Sequence, residues 1–168
     1  TETFYIYFYL QYLSDWPTLF YKSTSALDEP TGYILAKTEG QVLKKEWHAH
    51  ISAVTIDPNY RRIGLGSYLC QMLETYPQDE KPYYAFFIDL FVKCNNTLAI
   101  NFYEKLGYSV FRRVVGYYGP PGRIPSKSRL NDEIDAFDMR KSLKRDKAHE
   151  CVRKTGRRYH VLPQDVVF

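Results

Sequence analysis

With 168 residues the chain has the length of one domain plus a tail, enough to bury roughly 68–70% of its unfolded surface. Hydrophobic residues make up 45% and charged residues 25%, an ordinary globular balance, and no run of about 18 apolar residues offers a membrane-spanning helix. The net charge of +4 is uneven: between Arg140 and Arg158, nine Lys and Arg face only Asp146 and Glu150, so the basic character belongs to the C-terminal end.

Aromatic residues reach 17%, with sixteen Tyr. That suits either a core with wet edges or a surface that stacks and donates hydrogen bonds. Cys70, Cys94 and Cys151 are odd in number, far apart and form no C-x-x-C pair. They imply a reducing compartment and no disulfide framework. No signal peptide is read. The chain opens at Thr1 without Met, inside an aromatic-rich segment, so native residues are expected upstream.

From Phe4 to Phe20, Tyr5, Phe8, Tyr9, Tyr12, Leu13 and Trp16 fall at helical spacing, with a stop at Pro17. The aromatics lie on more than one side, so this is either a well-buried helix or one that meets a partner. Ser23 to Thr31 reads as a loop and Gly32 to Lys37 as a short strand. Gly40 to Lys45 is a turn region. Trp47 to Ile56 alternates strictly, with His48, His50, Ser52, Val54 and Ile56 on one face. Gly64 to Tyr76 is helical and ends before Pro77. Tyr84 to Val92, apolar except for Asp89, is a strand covered on both faces. Thr97 to Leu106 is a helix closed by Gly107, and Tyr108 to Tyr118 a further strand region. Pro120 to Asn131 is a loop, Ala136 to Arg140 a final strand, and little beyond Lys141 reads as buried before Val166-Val167-Phe168. Strands alternating with helices argue for an α/β or α+β sheet domain.

The sharpest local feature is Tyr60-Arg61-Arg62-Ile63-Gly64-Leu65-Gly66-Ser67, placed after a strand and opening a helix. Two glycines let backbone N–H groups approach an anion, the helix N-terminus favours negative charge, and the arginines add charge-assisted donors. An ordinary tight turn has the same look. A second pattern follows the apolar strand: Asn96-x-x-Ala99-x-x-x-Tyr103-x-x-x-Gly107-Tyr108.

Together with Arg61-x-x-Gly64-x-Gly66, this pattern resembles the signature of the GNAT acetyltransferases. The resemblance implies a mixed, mostly antiparallel central sheet with splayed middle strands, flanked by helices. It also implies acetyl-CoA as co-substrate and no metal. Its pyrophosphate would be held by Arg61, Arg62, Ile63, Gly64, Leu65, Gly66 and Ser67, its pantetheine arm by the strand at Val54, Thr55 and Ile56. Asn96 and Tyr103 would lie near the thioester.

Other stretches narrow the likeness: Phe8-Tyr9-Leu10-Gln11-Tyr12-Leu13 before Trp16-Pro17, Glu46-Trp47-His48-Ala49-His50, Leu106-Gly107-Tyr108-Ser109-Val110 before Tyr117-Tyr118, and Asp135-Ala136-Phe137-Asp138-Met139-Arg140. They resemble the catalytic subunits of NatB-type N-terminal acetyltransferases. The likeness implies an acetyltransferase domain over 1–140 and a basic tail over 141–168. It implies substrates beginning Met-Asp, Met-Glu, Met-Asn or Met-Gln, and a large helical auxiliary subunit. Ribosome association, a cytoplasmic location and no direct membrane or DNA binding go with it. In that family a first strand precedes the point corresponding to Thr1.

Acetyl transfer needs a neutral amine, a stabilised oxyanion and a proton for the departing thiolate. An α-amine has a pKa near ~7.7–8.0, so a modest base such as His50 suffices, through a water. His50 as a reader of the substrate side chain is the alternative. His48-x-His50 also resembles half a metal site, but no Cys or carboxylate completes it in the sequence, and none is expected. Tyr103 is the candidate acid, or else a core tyrosine; Asn96 binds cofactor or substrate, or only caps a helix. A backbone N–H between Ser52 and Ile56 is the candidate oxyanion donor. Glu2, Phe4, His50, Ser52, Asn96, Tyr117 and Tyr118 are the candidate peptide contacts. Asp89 is left out as structural, and a covalent acetyl-Cys94 is not expected. The basic tail either meets ribosomal RNA or an acidic partner, or is solvated. The rival functions are a GNAT enzyme for small amines and a silent acetyl-CoA-binding subunit.

Overall fold

A computed structural model describes residues 4–78, 83–122 and 124–166. The chain divides into two compact units, Thr1–Ile88 and Asp89–Phe168, with the strand Phe87–Lys93 carrying the boundary. The fold is mixed α/β, and its strands pair mostly antiparallel.

The first unit opens with α1 (Ile6–Asp15), a single 3-10 turn Pro17–Leu19, and β1 (Phe20–Thr24). The helix ends at Asp15 with Trp16 as its C-cap, next to the stop expected at Pro17, and Phe20 onward turns extended. The sequence pattern gives helix end and loop where β1 lies. Its pattern is hidden because it is five residues long with no residue fully buried. It pairs antiparallel with β2 (Pro30–Glu39), and β2 pairs antiparallel with β3 (His48–Ile56).

The strict alternation read along β3 does not survive its whole length. Leu35 pairs with Ala53 and Ala36 with Ile51, so Ser52 is the extra residue of a β-bulge. The two ends of β3 therefore do not share one continuous pattern of faces. α2 (Leu65–Gln78) runs through Pro77 rather than ending before it. Proline sits in the last turn, where little helix remains to be broken. Its carbonyl accepts the Ala85 N–H at 2.8 Å. The core of this unit includes Leu19, Ile34, Leu35, Ile51, Leu73 and Phe87.

In the second unit, β4 (Phe87–Lys93) leads to α3 (Thr97–Lys105), which Gly107 closes at φ +92°. β5 (Ser109–Val114) pairs antiparallel with β6 (Ala136–Ser142) and parallel with β7 (His160–Val161). The division read at 140/141 falls inside β6, which is not the final strand. Beyond it Leu143, Asp146, Cys151 and Val161 are buried, contrary to the reading of a mostly exposed segment. Two devices dock it. Asp146 accepts from Ser142 Oγ at 2.7 Å and from the N–H groups of Glu150 and Cys151 at 3.0 and 2.9 Å. Gly156 lies so close to β5 that a Cβ there would overlap the Val110 carbonyl oxygen. Charge-rich sequence concealed this packing because arginines lie over aromatic rings. The Arg153 guanidinium sits 3.9 Å from the Tyr159 ring centroid and 4.4 Å from that of Phe111.

Candidate active site

In the first unit, the candidate anion-binding loop lies between β3 and α2. Asp57 caps a 3-10 turn by accepting the Asn59 N–H at 2.8 Å, and Arg61 Nε donates to the Ile56 carbonyl at 3.0 Å. These bonds tie the loop to the end of β3. Arg62 and Gly64 both adopt left-handed backbone, φ +67° and +88°. Such reversals turn successive N–H groups to one side. A Cβ on Gly64 would meet nothing within 4 Å, so the glycine is required by its φ, and the space beside it is open. Arg61, Arg62, Ile63 and Gly64 are exposed; Leu65, Gly66 and Ser67 are half-buried at the N-terminus of a 14-residue helix, with its unpaired first N–H groups. The residues present fit a pyrophosphate.

Val54, Thr55 and Ile56 lead into this loop, each half-buried and paired with Ile34, Tyr33 and Gly32 of β2. Ser52, at the bulge, shares a 2.6 Å hydrogen bond with the Tyr12 hydroxyl of α1. His50 is half-buried and lies opposite Lys37. His48 is fully buried, stacked parallel on Phe87 at 4.6 Å, with Nδ1 2.6 Å from the Glu46 carbonyl. The register sets Glu39 opposite His48, so the carboxylate that the sequence seemed to lack comes from the neighbouring strand. Glu39, His48 and His50 bring one ligand atom each within 4.8 Å of one another. Antiparallel pairing of two strands joined by a short turn region was the available signal.

Phe4 stacks on Phe8 at 4.1 Å and meets Tyr9 edge-on, so its ring is held against α1. Glu2 lies outside the described residues. α1 buries Tyr12 but leaves Tyr5 91%, Tyr7 73% and Ile6 72% exposed, together with Leu10 and Leu13. Of the two readings of this helix, the structure supports the one with an outward apolar face.

In the second unit, Asn96 is the N-cap of α3, its side-chain oxygen accepting the Ala99 N–H at 3.1 Å. The capping role is therefore real, and it leaves the amide nitrogen as a donor. Tyr103 is half-buried, edge-on to Phe102 and Tyr108 at 5.0 and 5.6 Å. Tyr117 stacks on Phe91 at 4.6 Å, and Tyr118 stands edge-on to Tyr117 while its hydroxyl donates to the Phe91 carbonyl at 3.3 Å. Burial pushes the Cys94 thiol up to about 12, which removes it as a nucleophile near neutrality.

The stretch Asp135–Arg140 proves to be part of a buried charge network. Arg113 donates to Asp135 at 2.9 and 2.6 Å and to Asp132 at 2.6 Å. Arg112 and Arg140 converge on Asp138 at 2.8 to 3.0 Å. Burial holds Arg112 below the usual guanidinium range against the pull of Asp138, whereas the bonds to Asp135 and Asp132 outweigh burial and raise Arg113. Asp89 is fully buried in the same unit and acts on Arg112.

The mixed, mostly antiparallel α/β fold is that of an acetyltransferase class found by comparison with known proteins. The profile described as "Acetyltransferase (GNAT) family" matches residues 1–108. The chain belongs to the GNAT acetyltransferase family. It is 51% identical over 176 residues to the N-terminal acetyltransferase B complex catalytic subunit NAT3 of Saccharomyces cerevisiae, covering all of this chain and 88% of that one. A NatB acetyltransferase complex bound to a bisubstrate inhibitor superposes with a TM-score of 0.85 at 52% identity, over all of this chain and 88% of the other. A NatB complex bound to CoA and MES gives 0.69 at 56% identity, over 85% of each chain.

Proposed function

We propose that this chain is the catalytic subunit of a NatB-type N-terminal acetyltransferase, acting on proteins that begin Met-Asp, Met-Glu, Met-Asn or Met-Gln. The observation that carries this reading is the pairing of the open Arg61–Gly66 loop with half-buried His50 on the strand leading to it, in a chain half identical to NatB catalytic subunits. Acetyl-CoA supplies the activated acetyl group. Arg61, Arg62 and the first N–H groups of α2 hold its pyrophosphate, and the Val54–Ile56 strand its arm. His50 takes the proton from the incoming ammonium through a water. A backbone N–H between Ser52 and Ile56 donates to the developing oxyanion. Tyr103 and Asn96 keep the roles that the family signature implies, proton donor to the thiolate and cofactor or substrate contact. Phe4, Tyr117 and Tyr118 offer aromatic surface to methionine; Glu2, Ser52 and His50 complete the candidate peptide contacts.

The outward face of α1 suits a large helical auxiliary subunit, since Tyr5, Ile6, Tyr7, Leu10 and Leu13 form an apolar patch on one short helix. Ribosome association through that complex and a cytoplasmic site of action follow from the same reading. Among the described residues no helix is long and apolar enough to cross a membrane.

The test is CoA release with acetyl-CoA and two peptides differing only in their start, Met-Asp and Ser-Ala, with and without the auxiliary subunit. Turnover of Met-Asp alone is expected. Turnover of Ser-Ala, or of neither peptide with the subunit present, overturns the NatB reading.

A further inference from the structure

We propose that Glu39, His48 and His50 form a site for a borderline divalent cation, Zn2+ in particular, that reversibly inhibits the enzyme. The argument begins with a tautomer. The Glu46 carbonyl oxygen can only accept, so the His48 Nδ1 at 2.6 Å carries the proton. In the neutral ring, Nε2 then presents its lone pair, and it lies 3.7 Å from the Glu39 carboxylate. A metal ion held there would be shared by a ring nitrogen and a carboxylate. Donation of the one ring N–H to a backbone carbonyl is how metal-ligating imidazoles are oriented. Stacking on Phe87 fixes the plane of this ring.

The pairing of β2 with β3 supplies the remaining ligands. Glu39 lies opposite His48, and His50 follows two residues on, both half-buried where His48 is fully buried. All three ligand atoms fall within 4.8 Å of one another. Two atoms bound to zinc at ~2.0–2.1 Å with tetrahedral angles are roughly 3.3 Å apart, so closing the set requires rotation of the half-buried Glu39 and His50 side chains onto a fixed His48. Two imidazoles and one carboxylate suit Zn2+ and leave an open position, whereas Mg2+ and Ca2+ prefer all-oxygen shells. Lys37 is the built-in competitor, because its ammonium already pairs with Glu39.

Binding would take the ring nitrogen of His50 out of use, whether as base or as reader; the inhibitory consequence rests on the function proposed above. The metal is no part of the reaction. The experiment uses the full chain with its auxiliary subunit. Equilibrium dialysis against buffered free Zn2+ reads binding, and CoA release with the Met-Asp peptide reads inhibition. Expected are zinc-dependent loss of turnover that a chelator reverses, no such loss with Mg2+, and one zinc fewer bound per complex in Glu39→Gln. Glu39→Gln should raise the inhibition midpoint at least ~10-fold with zinc-free turnover within about twofold. Lys37→Met should lower the midpoint, and it decides alone if Glu39→Gln does not fold. Wild-type midpoints and stoichiometry in the folded variants overturn the site. If the Met-Asp peptide is not a substrate, dialysis still reads the site, so the two proposals fail separately.

Discussion

The loop after β3 and the β5–β6 pair both gather arginines, yet they spend them differently. Arg61 and Arg62 are exposed, and Arg61 Nε donates to the Ile56 backbone carbonyl. Arg112, Arg113 and Arg140 are buried and closed onto Asp132, Asp135 and Asp138. In the first region guanidinium groups face open space and can meet a ligand's phosphate. In the second the guanidinium groups close onto carboxylates, of which Asp135 and Asp138 are fully buried, so the network contributes to holding the strands and little to chemistry. A conspicuous motif can therefore belong to either kind, and the partners of its side chains tell which.

Four measurements break or sharpen that contrast. Asp135→Ala has the largest expected effect. It removes the acceptor of two Arg113 bonds and of the Gly116 and Asn131 N–H groups. Leaving that guanidinium buried without its main partner should cost about 3–5 kcal/mol in denaturant unfolding of the complex, with KM for acetyl-CoA unchanged in whatever folds. His50→Ala should do the reverse, lowering kcat for the Met-Asp peptide about 100-fold while leaving the melting temperature in place. A rise in KM alone would make His50 a reader and not a base.

Asp146→Asn comes next. Burial pushes this carboxyl up, but the bonds from Cys151, Ser142 and Glu150 outweigh it and hold it below the usual carboxylate range. Its contribution is therefore complete above the ordinary carboxylate pKa and is lost as pH falls through the lowered value. Near neutrality the variant should be less stable by about 1.5–3 kcal/mol, and the gap to wild type should close on acidification below about pH 4. A gap that persists in acid would show that packing, not the charge, docks this segment. Gly64→Val is the smallest. Forcing a branched side chain to φ +88° costs about 1–2 kcal/mol locally and should raise KM for acetyl-CoA about tenfold with kcat nearly unchanged.

The elements that carry the candidate site residues were legible as local patterns. Arg61–Gly66 after a strand and Asn96–Tyr108 on a helix are local patterns, and local backbone rules suffice to place them. What escaped the sequence was non-local. β1 lacks the alternating burial that marks a strand, and is held by pairing with β2. The bulge at Ser52 depends on how two strands align, which neither strand states alone. Little of the basic C-terminal segment reads as buried, because charge counts do not show an arginine lying on Phe111 or an aspartate closed by Ser142 and Cys151.

By itself, then, the amino-acid sequence determined the chemistry on offer: the glycine-bearing loop, the histidines at alternate strand positions, the Asn96 cap and the family to which these belong. These depend on residue type and short spacing, which the chain carries locally. Only the tertiary structure decided which charges face one another. It set Glu39 against His48 through strand register, closed Arg113 on Asp135, left the apolar face of α1 outward, and buried Asp146 in the segment that follows β6. Electrostatic and packing energies depend on distance and burial, and both are settled by long-range pairing rather than by neighbours in the chain.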